Sequence, residues 1–66
     1  MTIVYQGAAV ETAAADLAGL LAERAVDAGS AVVECAGEVY GPDSDKSSVA
    51  LVEGVEVNVF RVVAGG

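Results

Sequence analysis

The sequence predicts an α+β fold in which a mixed β-sheet packs one face against a single main helix. Three observations carry this expectation. β-Branched and aromatic runs stand near both ends of the chain, one alanine- and leucine-rich run lies between them, and the last run alternates apolar and polar residues with the two-residue period of a half-buried strand. With 66 residues, 55% of them hydrophobic, the chain supports one compact core and no second domain.

Thr2-Ile3-Val4-Tyr5-Gln6 is β-branched and aromatic, Gly7 offers a turn, and Ala8-Ala9-Val10-Glu11 runs back, which predicts an amino-terminal hairpin. Asp16 is the best helix start, because its carboxylate can accept from the first free N–H groups. Leu17, Leu20 and Leu21 then share one face. Arg24 falls on that same stripe while Val26 points away from it, so either the arginine snorkels or the helix ends early. Gly29 is a natural stop, and the helix is placed from Asp16 to about Ala25, with fraying to Ala28.

Ala31-Val32-Val33-Glu34-Cys35 is the next strand, Ala36-Gly37 a turn, and Glu38-Val39-Tyr40 a short continuation. Cys35 reads as a small core hydrophobe, with no basic neighbour in sequence to make it a reactive thiolate. Gly41 to Ser48 is dense in turn formers and reads as a solvated surface loop with Lys46 exposed in it. Asp43-Ser44-Asp45 opens like a calcium loop but lacks the glycine and the distal glutamate at the required offsets.

After a turn at Glu53-Gly54, Val55, Val57 and Val59 alternate with Glu56, Asn58 and Phe60. On the outer face Glu56 and Asn58 give way to Phe60 and Val62, so the solvent side turns apolar. Either a partner covers that face, or Phe60 packs within the domain against Val4. The expected core is Ile3, Tyr5, Leu17, Leu20, Leu21, Val32, Val57 and Val59. The strand runs out through Val63-Ala64 into Gly65-Gly66, which predicts a domain over 1–63 and a flexible tail over 64–66.

Composition narrows the chemistry. Histidine is absent and Cys35 is the one cysteine, so neither a Cys/His zinc site nor a histidine-activated nucleophile can be assembled. An all-oxygen metal site of Asp and Glu is the option left open, a solvated acidic surface is the plainer reading, and no metal ligand is assigned. Three basic and ten acidic residues give a net charge of −7, which opposes a phosphate backbone and suits a basic protein surface. A salt-adapted host produces the same imbalance. No intrachain disulfide, secretory leader or membrane span is expected, and the expected location is the cytoplasm.

The order of hairpin, helix, strand, turn-rich loop, final strand and Gly-Gly resembles the β-grasp fold of ubiquitin-like proteins and prokaryotic sulfur carriers. The resemblance is closest to the ThiS/MoaD superfamily, and within it to ThiS-type carriers of thiamine biosynthesis. It rests on Ile3-Val4-Tyr5, on Leu20-Leu21, and above all on Leu51-Val52-Glu53-Gly54 leading to Val57-Asn58-Val59-Phe60-Arg61-Val62-Val63-Ala64-Gly65-Gly66. Ala36-Gly37 stands where such carriers have Asn-Gly, and Val55 where an aspartate commonly follows the late glycine.

A carboxylate at neutral pH is a poor electrophile, so loading it requires activation, usually as an acyl-adenylate. Glycines let an extended chain thread into a deep site where larger side chains would collide with the walls. The resemblance implies a carrier acting as co-substrate, not an enzyme. A ThiF-like adenylyltransferase would adenylate Gly66 using ATP and Mg that belong to the partner rather than to this chain. A sulfurtransferase would supply sulfur, and a ThiG-like thiazole synthase would take it from the thiocarboxylate. Gly65 would give access to the tail, and Phe60 with Val62 would form part of the docking surface. The alternatives are a MoaD-like carrier serving molybdopterin synthesis and a ubiquitin-like modifier joined to target lysines through Gly66. In the second case Lys46 would be open to a further copy. An inert domain with a frayed end completes the set.

Overall fold

The computed structural model describes residues 1–61. Thr2–Tyr5 (β1) and Ala8–Glu11 (β2) form the predicted antiparallel hairpin. Its tip, Gln6-Gly7, has φ of 52° and 82°, the pair of left-handed conformations whose twist matches that of the flanking strands.

Leu17–Glu23 (α1) is capped as expected, the Asp16 carboxylate accepting the Gly19 N–H at 2.8 Å. The helix closes earlier than the sequence suggests, and Gly29 is not its stop. Ala25 takes φ 57°, its N–H bonds the Ala22 carbonyl at 3.2 Å, and the Val26 N–H bonds the Leu21 carbonyl at 2.9 Å. This is a Schellman closure made with alanine at the position that usually holds glycine. Gly29 instead lies in a 3-10 turn, Ala28–Ser30, where its N–H bonds the Asp27 carboxylate at 3.0 Å. Arg24, just past the helix, is exposed and sets its guanidinium 4.9 Å from the centre of the Tyr5 ring. The early stop thus spares the apolar stripe a buried cation.

Ala31–Cys35 (β3) turns at Ala36-Gly37, with φ of 53° and 84°, into Glu38–Tyr40 (β4), which returns antiparallel as an edge strand. The following connection holds a second 3-10 turn, Lys46–Ser48. It is strapped to the start of α1 by Leu17 N–H to Val49 carbonyl at 2.9 Å and Leu51 N–H to Ala15 carbonyl at 3.0 Å. The Glu53-Gly54 turn, with Gly54 at φ 81°, is tied to β1 by the Gly54 N–H on the Thr2 carbonyl at 2.7 Å. Glu56–Arg61 (β5) follows.

The sheet order is β2-β1-β5-β3-β4, with β5 parallel to β1 and antiparallel to β3. The result is a small α+β domain of one helix and a five-stranded mixed sheet. Ile3, Leu17, Leu20, Leu21 and Val57 are buried between sheet and helix, as the sequence predicts. Tyr5 and Val59 are half-buried at the margin of that core rather than inside it.

Val32 is a correction. Ala31, Val33 and Cys35 point inward, so Val32 lies on the opposite face of the sheet. Three consecutive apolar residues leave the parity of a strand open, and a shift of one residue exchanges its faces. Here Glu34, opposite Asn58, is turned away from the core and Val32 goes with it. Leu51 and Val55, from the connection before β5, complete the core. Among the described residues no helix is long and apolar enough to cross a membrane.

Candidate functional site

Val62, Gly65 and Gly66, on which the tail chemistry and part of the docking surface were expected, lie outside the described residues. The described part of the candidate site is the strand that leads to them. β5 occupies the middle of the sheet and is held along both edges. On one side the Val4 N–H bonds the Val55 carbonyl and the Gln6 N–H bonds the Val57 carbonyl, each at 2.9 Å. On the other side β5 pairs with β3 from Val57 opposite Cys35 to Arg61 opposite Ala31.

β1 ends at Tyr5, and the chain turns away at Gln6-Gly7 while β5 continues. The Val59 N–H and carbonyl on that side therefore have no backbone partner in β1. The Gln6 side chain supplies both: its Oε1 accepts from the Val59 N–H at 2.8 Å, and its Nε2 donates to the Val59 carbonyl at 3.0 Å. A primary amide has the donor and acceptor of a peptide group, so it extends the ladder by one rung. Sequence reasoning takes Gln6 only as the end of a strand before a turn. Its role depends on a contact 53 residues away, for which the sequence holds no local signal.

Phe60 comes next along β5, and it is 58% exposed. It does not pack on Val4, because Val4 stands opposite Glu56, four residues or roughly 13 Å back along the strand. Its cross-strand partner is Val32, the same residue that parity turned out of the core. The outer face at this end of the sheet therefore joins an aromatic to a β-branched side chain. Closer to the middle, Asn58 Nδ2 donates to Glu34 Oε1 at 3.1 Å, and Val39 on β4 is 66% exposed. The face is mixed: apolar beside the exit toward residue 62, acidic and polar behind it.

The other residues singled out from sequence fall elsewhere. Cys35 is buried in the core, where desolvation pushes its thiol above the usual range and disfavours the nucleophilic thiolate. Lys46 is not an exposed loop lysine. It is only 3% exposed, and its Nζ donates to the carbonyls of Gly41 at 2.7 Å and Ala28 at 3.0 Å, with a longer contact to Pro42 at 3.5 Å. The polar composition of the loop conceals this, since a lysine amid Asp, Ser and Pro has no apolar neighbours to betray burial. Among the described residues no three His, Cys, Asp or Glu side chains gather where they could hold a metal ion.

The chain matches no protein-family model, and no curated protein matches it.

Proposed function

We propose that the chain is a β-grasp sulfur carrier of the ThiS type, whose Gly66 carboxylate is adenylated by a ThiF-like enzyme and converted to a thiocarboxylate. That thiocarboxylate then donates its sulfur in thiazole formation. The observation that carries the proposal is the position of β5. The strand that leads to Gly65-Gly66 is the central one of the sheet, paired on both sides and extended by the Gln6 amide. A protein that must present its terminus to a succession of enzymes needs that end to project from a fixed base, and a central strand is the best-held base a small sheet offers. The exposed Phe60 ring beside Val32 supports a docking role for this end of the outer face. The net charge of −7 suits a basic enzyme surface and favours fast, salt-sensitive encounter.

The test is chemical. Incubated with its cognate activating enzyme, ATP, Mg and a persulfide source, the chain should gain the mass of one oxygen-for-sulfur exchange at Gly66. Deleting Gly66, or adding one residue after it, should abolish the exchange while the circular dichroism spectrum stays the same, because the carboxylate then sits at the wrong depth. Phe60→Ala should mainly speed dissociation from the activating enzyme, and added salt should mainly slow association. An unmodified carboxylate under these conditions overturns the carrier reading. Recovery of Gly66 in isopeptide linkage to lysines of other proteins replaces it with the modifier reading.

A further inference from the structure

We infer that Lys46 is an ammonium latch that closes the 41–48 loop and withholds the only lysine of these 66 residues from acyl transfer. Three observations converge on this residue. It is 3% exposed although it lies in a segment made almost wholly of polar residues and turn formers. Its Nζ is directed at backbone carbonyls from two separate stretches, Gly41 at 2.7 Å with Pro42 at 3.5 Å from its own loop, and Ala28 at 3.0 Å from the 3-10 turn that precedes β3. An ammonium has three N–H donors and no acceptor, so these three carbonyls match its whole capacity. A buried cation is tolerated only when its donors are satisfied in this way, which ties the position of the loop to the charge.

The chemistry of acylation shows what the latch prevents. For an amine to attack an activated carboxyl group, one proton must leave the ammonium for water and free the nitrogen lone pair. A bond then forms between Nζ and the acyl carbon, the bond to the leaving group breaks with its electron pair departing with that group, and a second proton passes from the nitrogen to water. In the closed state the N–H groups are held by carbonyls and the nitrogen lies beneath the loop surface, so neither the lone pair nor the approach is available. Acylation must wait for the loop to open. Once formed, the amide keeps a single N–H and no charge, cannot serve three carbonyls again, and holds the loop open.

In combination with the proposed tail chemistry, and resting on that reading for this one consequence, the chain is built to give its activated carboxylate and not to receive one at Lys46. A second copy finds no amine in the loop, so activated chains in solution do not cap one another there.

The experiment needs no activating enzyme. The native chain and its Ser44→Lys variant are treated with a water-soluble N-hydroxysuccinimide acetate, and acetylation is followed by peptide mass spectrometry. Ser44 is exposed in the same loop, so the lysine introduced there serves as the reference. Lys46 should acetylate at least about tenfold more slowly than that reference in folded protein, the factor set by the free energy of local opening. In denaturing urea the two rates should converge. In parallel, Lys46→Met should speed hydrogen exchange at the Ser44 and Val49 amides, which bond the Gly41 and Lys46 carbonyls in the closed loop, more than at Val33 and Val57. Acetylation of Lys46 at more than a tenth of the reference rate overturns the latch, and if Lys46→Met does not fold, the labelling ratio alone decides. Absence of a thiocarboxylate at Gly66 leaves this result standing, and fast labelling of Lys46 leaves the carrier chemistry standing, so the two failures are distinguishable.

Discussion

Replacing Gln6 with alanine removes both hydrogen bonds that the side chain makes to Val59, at 2.8 and 3.0 Å, and leaves one rung of β5 to water. Each such bond contributes a net 0.5–1.5 kcal/mol or so in a folded protein. Both lie at an exposed position, where water can take over part of the partnership, so the expected loss is about 1–2 kcal/mol rather than the sum of the upper values. The left-handed φ of 52° at this position does not alter the comparison, because glutamine and alanine bear the same strain there. For a domain of this size that loss lowers the melting temperature by roughly 5–15 °C. Gln6→Met keeps the length of the side chain, discards its polar atoms, and should cost as much as Gln6→Ala if the bonds matter rather than the bulk.

Thermal unfolding followed by circular dichroism measures the stability. Hydrogen exchange at the Val59 amide measures the rung itself, and it should accelerate in both variants more than exchange at Val57, whose carbonyl is held by the Gln6 backbone N–H at 2.9 Å. A melting temperature unchanged within experimental error, together with unaltered protection of Val59, would refute the idea that the amide substitutes for a peptide group.

Further outcomes follow from the thiol and from two strained alanines. Burial raises the Cys35 thiol above its unfolded value, so its contribution to stability is complete below the unfolded value near pH ~8.5 and is lost as pH rises through the folded value. Urea unfolding above pH ~8.5 should therefore show stability falling more steeply in the wild type than in Cys35→Ala, by at most about 1.4 kcal/mol per pH unit; parallel slopes would place the thiol in water. Ala25 and Ala36 hold φ of 57° and 53°, so Ala25→Gly and Ala36→Asn should each stabilise the fold by about 0.5–1 kcal/mol. Lowered denaturation midpoints in both would contradict the left-handed geometry of these closures.

What the sequence discloses and what it hides divide along physical lines. The hairpin, the Asp16 cap, the inward Val57 and the outer-face position of Phe60 rest on patterns within a few residues of each other, and such patterns are local in sequence because their causes are local in space. The helix end was harder to read. Gly29 carries the stronger stop signal, yet Arg24 ends the apolar stripe, and the helix closes at Ala25 in the left-handed position instead. The parity of Val32 and Val33 required knowing which neighbour β3 pairs with. Gln6 and Lys46 were the least legible of all, since each acts through bonds to carbonyls or amides that topology alone brings near. Val62, Gly65 and Gly66 lie outside the described residues, so the tail chemistry rests on the sequence.

The same division bears on how a carrier of this kind would be recognised. Binding is weakened when a docking surface must first be ordered, and a contact already fixed in its bound geometry avoids that loss. Phe60 follows immediately after the rung completed by Gln6 and stands opposite Val32 on a strand whose inner neighbours, Val33 and Cys35, are locked in the core. The ring is thus presented from a rigid position while its face remains open. The acidic side chains behind it, Glu34 bound to Asn58 and Glu56 opposite Val4, lie on the same face without surrounding the ring. In the proposed docking, long-range attraction and short-range anchoring would therefore fall to different residues. On the proposed reading, an enzyme surface with a basic rim and an apolar socket would satisfy both at once, with the socket over Phe60 and the rim over Glu34 and Glu56, and a surface lacking either element would engage only half of what this face offers.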